Sequence, residues 1–138
     1  MVHFIAGEKG AGKTKKLLGM TNDCADKSNG NVVFIKEDNN RHMHELKQSI
    51  RFVETKGYEL DSYKEFIGFV SGIMVQDNDI TDIFVDGLIK IIGDIGSEDL
   101  IELTKKLEYL SKQNDVNFTI SMNYVVDKLP EQVKALLI

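Results

Sequence analysis

Cysteine, proline and arginine are nearly absent from this sequence: one, one and two among 138 residues. Each scarcity excludes something. A lone Cys24 forms no internal disulfide, which rules out a disulfide framework and suits a reducing compartment. Its plainest role is that of a small core residue on the first helix. A single proline and 8% aromatics, beside 42% hydrophobic residues, describe a packed chain rather than a low-complexity or disordered one. No apolar run approaches the ~18–20 residues of a membrane span. The N-terminus lacks the basic flank and apolar core of a signal sequence. The expectation is a soluble, cytoplasmic protein, one domain over residues 1–138, with no membrane partner. A net charge of −5 argues against nucleic acid as a partner, because non-specific binders usually present a net basic face.

What the chain does have is a succession of short apolar runs separated by polar segments. Residues 2–6 read as a buried strand, and residues 13–28 as a helix with Leu17, Leu18, Thr21, Cys24 and Ala25 on one face. A glycine at position 30 ends that helix, and Asn31 to Lys36 form a second buried strand. Residues 41–55 suit a short helix followed by an edge strand, and Lys56-Gly57-Tyr58 a turn. Ser62 to Glu65 is a capping box, with Ser62 as the cap and Glu65 reaching back. It opens a helix with Phe66, Phe69, Val70, Ile73 and Met74 as its core stripe. Thr81 to Asp86 is a strand ending in an acid, and Leu88 to Ile92 is a helical turn or an extension of it. Ser97-Glu98-Asp99 opens a helix whose stripe is Leu100, Leu103, Leu107 and Leu110. Asn117 to Met122 is another strand, and Pro130 starts a terminal helix through Ile138. Strands alternating with helices predict an α/β domain: a mostly parallel sheet of four to five strands with helices on both faces.

Between the first strand and the first helix lies Gly7-Glu8-Lys9-Gly10-Ala11-Gly12-Lys13-Thr14, which fits G-x-x-x-x-G-K-[ST] at every fixed position. From average residue usage, a chance match in a chain of this length has odds of roughly one in a hundred. The order strand, glycine loop, helix lowers those odds further. Glycines let successive backbone N–H groups converge on a polyphosphate, and the helix start adds its positive dipole end. Lys13 would reach the β- and γ-phosphates, and the Thr14 hydroxyl would hold Mg²⁺. Lys9, Lys13, Lys15 and Lys16 gather positive charge where a triphosphate would sit. Phosphoryl chemistry also needs a carboxylate near the metal, at the end of a neighbouring apolar strand. Ile83-Phe84-Val85-Asp86 supplies it, with Asp86 as the metal acid.

Through residues 7–14 and 83–86, and through strand–helix alternation over nearly the whole chain, the sequence resembles the P-loop NTPase superfamily. The segments Ile50 to Val53, Glu65 to Phe69 and Ile83 to Gly87 look like a family of small, uncharacterised bacterial P-loop ATP-binding proteins, which brings no established reaction. Guanine-reading members of the superfamily carry N-K-x-D; Asn123 to Asp127 is one residue too long and lacks the lysine. No Asp-x-x-Gly follows the metal strand, and Glu8 stands where partition-type ATPases have a lysine. ATP is therefore the expected nucleotide. RecA-like ATPases place a strand between the loop strand and the metal strand, and most carry a water-activating glutamate directly after the metal aspartate. Here Gly87 holds that position. In the recombinase subgroup the glutamate ends the second strand, which points to Glu37. A polar residue ending the next strand often senses the γ-phosphate in that branch; Ser121 and Asn123 are the candidates. Arg41 and Arg51 are the two residues able to serve as an arginine finger, and Arg51 on an edge strand suggests self-association or a protein partner. His42 and His44 lie two apart without an obvious third metal ligand, and His3 alternates within a core strand.

Three functions follow. The first is an Mg²⁺-dependent ATP-binding protein that hydrolyses slowly or acts as a nucleotide-controlled switch, with Lys13 and Glu37 catalytic. The second is a small-molecule kinase of the nucleoside type, with residues 54–62 as a reduced lid, although two arginines equip such a lid sparsely. The third is a non-catalytic ATP-binding interaction module.

Overall fold

The computed structural model describes residues 1–38 and 43–138; Arg41 and His42, named above, lie outside the described residues. Five strands form one sheet: β1 (Val2–Gly7), β2 (Asn31–Lys36), β3 (Arg51–Glu54), β4 (Ile80–Asp86) and β5 (Asn117–Asn123). All pairings are parallel and the order across the sheet is β1-β5-β4-β2-β3. β5 therefore separates the glycine-loop strand from the strand that ends in Asp86, as in the RecA-like arrangement.

Side-chain alternation divides the core in two. On one face Ile5, Val32, Phe34 and Phe84 pack beneath α1 (Lys13–Lys27), together with Met43 and Ile50. On the other, Phe4, Val33, Ile83, Val85, Phe118 and Ile120 pack beneath α2 (Tyr63–Gln76) and α4 (Ser97–Asn114). The short α3 (Leu88–Ile92) and α5 (Glu131–Lys134) belong to this second layer through Leu88 and Val133. Both faces of the sheet are thus covered, which parallel sheets require. Leu100, Leu103 and Leu107 are fully buried, as the stripe on α4 predicts.

Some local expectations change. Ser62 Oγ accepts from the Glu65 N–H at 3.2 Å, but the Glu65 carboxylate accepts from the N–H of Asp61, one residue beyond the cap. Among the described residues, the segment before β3 holds a single 3₁₀ turn, Met43–Glu45, instead of a short α-helix. The terminal helix stops at Lys134 rather than running to Ile138. The tail instead lies along β1: Phe4 N–H donates to Leu136 O at 2.9 Å, and Ile138 N–H donates to Phe4 O at 3.0 Å. Those bonds satisfy the outer edge of β1, which the sheet order would otherwise leave unpaired.

Candidate nucleotide site

The carboxyl ends of the strands and the start of α1 enclose a cleft of about 780 Å³. The loop between β1 and α1 bends through Gly10 (φ +89°) and Gly12 (φ +81°), left-handed conformations that side chains rarely adopt. Gly12 immediately precedes α1, and no side chain caps that end. The free N–H groups of the first turn are therefore directed at whatever enters the cleft. Lys9, Gly10, Gly12, Lys13, Thr14 and Lys15 line it. Gly7, Glu8 and Ala11 shape the loop from behind. Gly7 ends β1, and the Glu8 carbonyl accepts from Ala11 N–H at 3.2 Å and from the Lys13 ammonium at 2.7 Å. Burial pushes the Lys13 pKa down from the usual lysine value, and the charge of Asp86 partly opposes the shift.

Sheet register assembles the second half of the site. Phe34 and Phe84 point into the core under α1. Two residues further on, Lys36 and Asp86 emerge on that same face, and they are paired in the β2–β4 register. Val85 pairs with Ile120, which brings Ser121 beside Asp86. The Asp86 carboxylate, 6% exposed, is held from three sides. Oδ1 accepts from Thr14 Oγ1 at 3.2 Å and from Ser121 Oγ at 3.0 Å, while Oδ2 receives the Lys36 ammonium at 2.8 Å. Ser121 Oγ in turn accepts from the Gly87 N–H at 3.0 Å, so it fixes both the acid and the residue after it.

Thr14 and Asp86, 72 positions apart, thus meet in the cleft. Both are hard oxygen donors, and Mg²⁺ takes one or two such protein ligands while phosphate and water supply the rest. The donor set fits that ion. Glu37 lines the cleft beside Asp38, its carbonyl accepting from the Lys56 N–H at 2.7 Å. Ser121 and Asn123 both line the cleft, but Ser121 is 1% exposed and already committed to Asp86. Arg51 opens the edge strand β3, three residues before its carboxyl end, and does not line the cleft. Residues 54–62 do not line it either; Asp61 and Ser62 border a separate cavity with Ile92 and Asp94. His44 is exposed, and among the described residues no group of three His, Cys, Asp or Glu could hold a metal.

Position 87 is revealing. Gly87 stands at φ +79° and ψ +60° and opens α3. The place where a RecA-like ATPase would carry its water-activating glutamate is left-handed backbone here, suited to glycine. Lys36 is the residue that sequence reasoning missed. The available signal was a lysine closing an otherwise apolar strand, Val32-Val33-Phe34-Ile35, whose charge must find a partner if the strand is buried.

Residues 1–60 match the family model of the zeta toxin, a kinase-like P-loop family. The match runs from β1 through the glycine loop, α1, β2 and β3, and ends before Asp86. No curated protein sequence matches the chain. The five-stranded parallel sheet with helices on both faces is the P-loop NTPase fold. Nucleotide binding is the general function that this fold and this match support. No helix among the described residues is long and apolar enough to cross a membrane.

Proposed function

We propose that this chain binds ATP with Mg²⁺ at the glycine loop and either hydrolyses it slowly or uses it as a switch. The observation that carries the reading is the contact of Thr14 Oγ1 with Asp86 Oδ1 at 3.2 Å, in the cleft that Lys13 also lines. Thr14 and Asp86 would hold Mg²⁺, which would neutralise phosphate charge. The first-turn N–H groups of α1 and the Lys13 ammonium bind the phosphates. The absent guanine motif favours ATP over GTP. Glu37 orients the attacking water, because Gly87 carries no side chain to do so. Loss of the γ-phosphate would then release its contacts and relax a loop at the site. Arg51, on the free edge of the sheet and away from the cleft, would act only across an interface with a second copy or another protein.

The test is a titration of ATP, GTP and ADP with Mg²⁺ into the purified protein, followed by single-turnover phosphate release. ATP binding with slow release is expected, and Lys13→Ala abolishes both. Unchanged affinity and rate in Lys13→Ala would sink the reading.

A second reading, a small-molecule kinase, is favoured by two observations. The match to a kinase-like family covers the loop and β2. The cleft also continues past the phosphate loop along Leu18, Gly19 and Asn22 of α1 to Glu45, leaving room for an acceptor. Screening nucleosides and other hydroxyl acceptors with ATP separates the two. ADP formed without a phosphorylated acceptor supports the ATPase; a phosphorylated product supports the kinase.

A further inference from the structure

The site contains a cation of its own beside the acid proposed to hold the metal. Asp86 is buried, and a bare carboxylate there would repel every phosphate that the loop binds. Lys36 offsets that charge: its ammonium sits 2.8 Å from Oδ2, its side chain is 12% exposed, and it lines the same cleft as Lys13 and Thr14. The pairing is built by the sheet, since Lys36 and Asp86 are register partners at the ends of adjacent strands. A lysine ammonium has three donors, and among the described residues Asp86 is the hydrogen-bond partner of Lys36, which leaves donors for a phosphate oxygen. With Lys36 paired to it, Asp86 opposes the phosphates less, and the Lys13 ammonium and the α1 N–H groups face them with that acid's charge partly offset. Removing Lys36 leaves Asp86⁻ against Lys13⁺, and a divalent ion would then be required to restore the balance.

We infer that Lys36 is a built-in counter-ion that lets the loop bind nucleotide without a divalent cation, so that the ion serves turnover rather than affinity. The inference rests on the ATP-binding reading of the same site, and it assigns Lys36 as a binding residue of that site. A divalent ion adds to the arrangement instead of creating it.

The experiment is calorimetric titration of ATP into wild type, Lys36→Gln and Lys36→Arg, each in MgCl₂ and in EDTA. Wild type is expected to bind with affinities within about threefold of each other in the two conditions. Lys36→Gln keeps a donor to Asp86 but loses the charge; its loss of affinity in EDTA should exceed its loss in MgCl₂ by about tenfold. Lys36→Arg restores binding in EDTA, which a merely structural role for the side chain would not demand of the charge. Wild-type affinity that collapses in EDTA overturns the inference and leaves the ATP-binding reading intact. Equal losses for Lys36→Gln in both conditions do the same. Wild type that binds no ATP in either condition removes the ATP-binding reading and the inference with it. The wild-type comparison needs no variant, so a Lys36→Gln protein that fails to fold still leaves the idea open to refutation.

Discussion

The glycine loop and the Asp86 cluster meet in one cleft but are built in opposite ways. The loop is eight consecutive residues whose shape is set by backbone: two left-handed glycines lead into the free N–H groups of α1. Most of its side chains are exposed. The cluster is four side chains from four elements, Thr14 on α1, Lys36 on β2, Asp86 on β4 and Ser121 on β5, gathered by register and largely buried. The difference teaches where each half draws its stability. A loop held by local torsions can lose a side chain and keep the fold. A buried cluster held by mutual charge and hydrogen bonds loses stability and function together.

The largest break in that comparison comes from Asp86→Ala. It strands the Lys36 ammonium, 12% exposed, without its partner carboxylate. Breaking a buried pair from one side typically costs about 3–5 kcal/mol. Urea unfolding should therefore show a lower midpoint with an unchanged slope, whereas Lys13→Ala, on the loop, should unfold close to wild type while failing to bind ATP. If both variants unfold at the same denaturant concentration, the two halves do not differ in the way described.

Ser121→Ala comes next. It removes the bond to Asp86 and orphans the Gly87 N–H, each 3.0 Å from Ser121 Oγ. The expected loss is about 1–3 kcal/mol, because a part-buried donor loses its partner. Asn123→Ala, two residues on at the exposed end of β5, is the control. It should be near neutral for stability, so any effect on ATP over ADP preference can be read as phosphate contact. A thermal melt in which Asn123→Ala falls as far as Ser121→Ala would dissolve the distinction between positioning the acid and facing the ligand.

The same contrast decides what was legible in the sequence. Residues 7–14 could be read because their geometry depends only on neighbours in the chain. Asp86 could be read because an acid closing an apolar strand is itself a local pattern. The Lys36 pairing and the bond of Ser121 to Asp86 could not, since both follow from β2, β4 and β5 lying side by side in a particular register. No periodicity encodes that register. The elements themselves were legible from apolar runs, down to the edge position of β3. The shortened terminal helix was not, because Leu136 and Ile138 bond to a strand more than a hundred residues away and that pairing outweighs helical preference. Cys24 behaved as its neighbours dictate: burial first, then the Asp82 carboxylate, push its thiol up to about 12. It should resist alkylation at neutral pH in the native state and react on unfolding.

The smallest effect should come from Gly87→Glu, which lies where the two halves touch. This substitution installs the glutamate that most RecA-like ATPases carry after their own metal aspartate. Space does not forbid it, since a Cβ at position 87 would meet Lys90 Cβ at an ordinary 3.8 Å. Torsion opposes it: φ +79° and ψ +60° disfavour an L side chain by about 1–2 kcal/mol. The backbone cannot relax freely, because the Gly87 N–H is tied to Ser121 and its carbonyl accepts from Lys90 and Ile91 at the start of α3. Gly87→Glu should therefore be slightly less stable than wild type and release phosphate no faster in a single turnover. A many-fold faster release would mean that the strained position does present a carboxylate to the attacking water, and Glu37 would lose its place as the base.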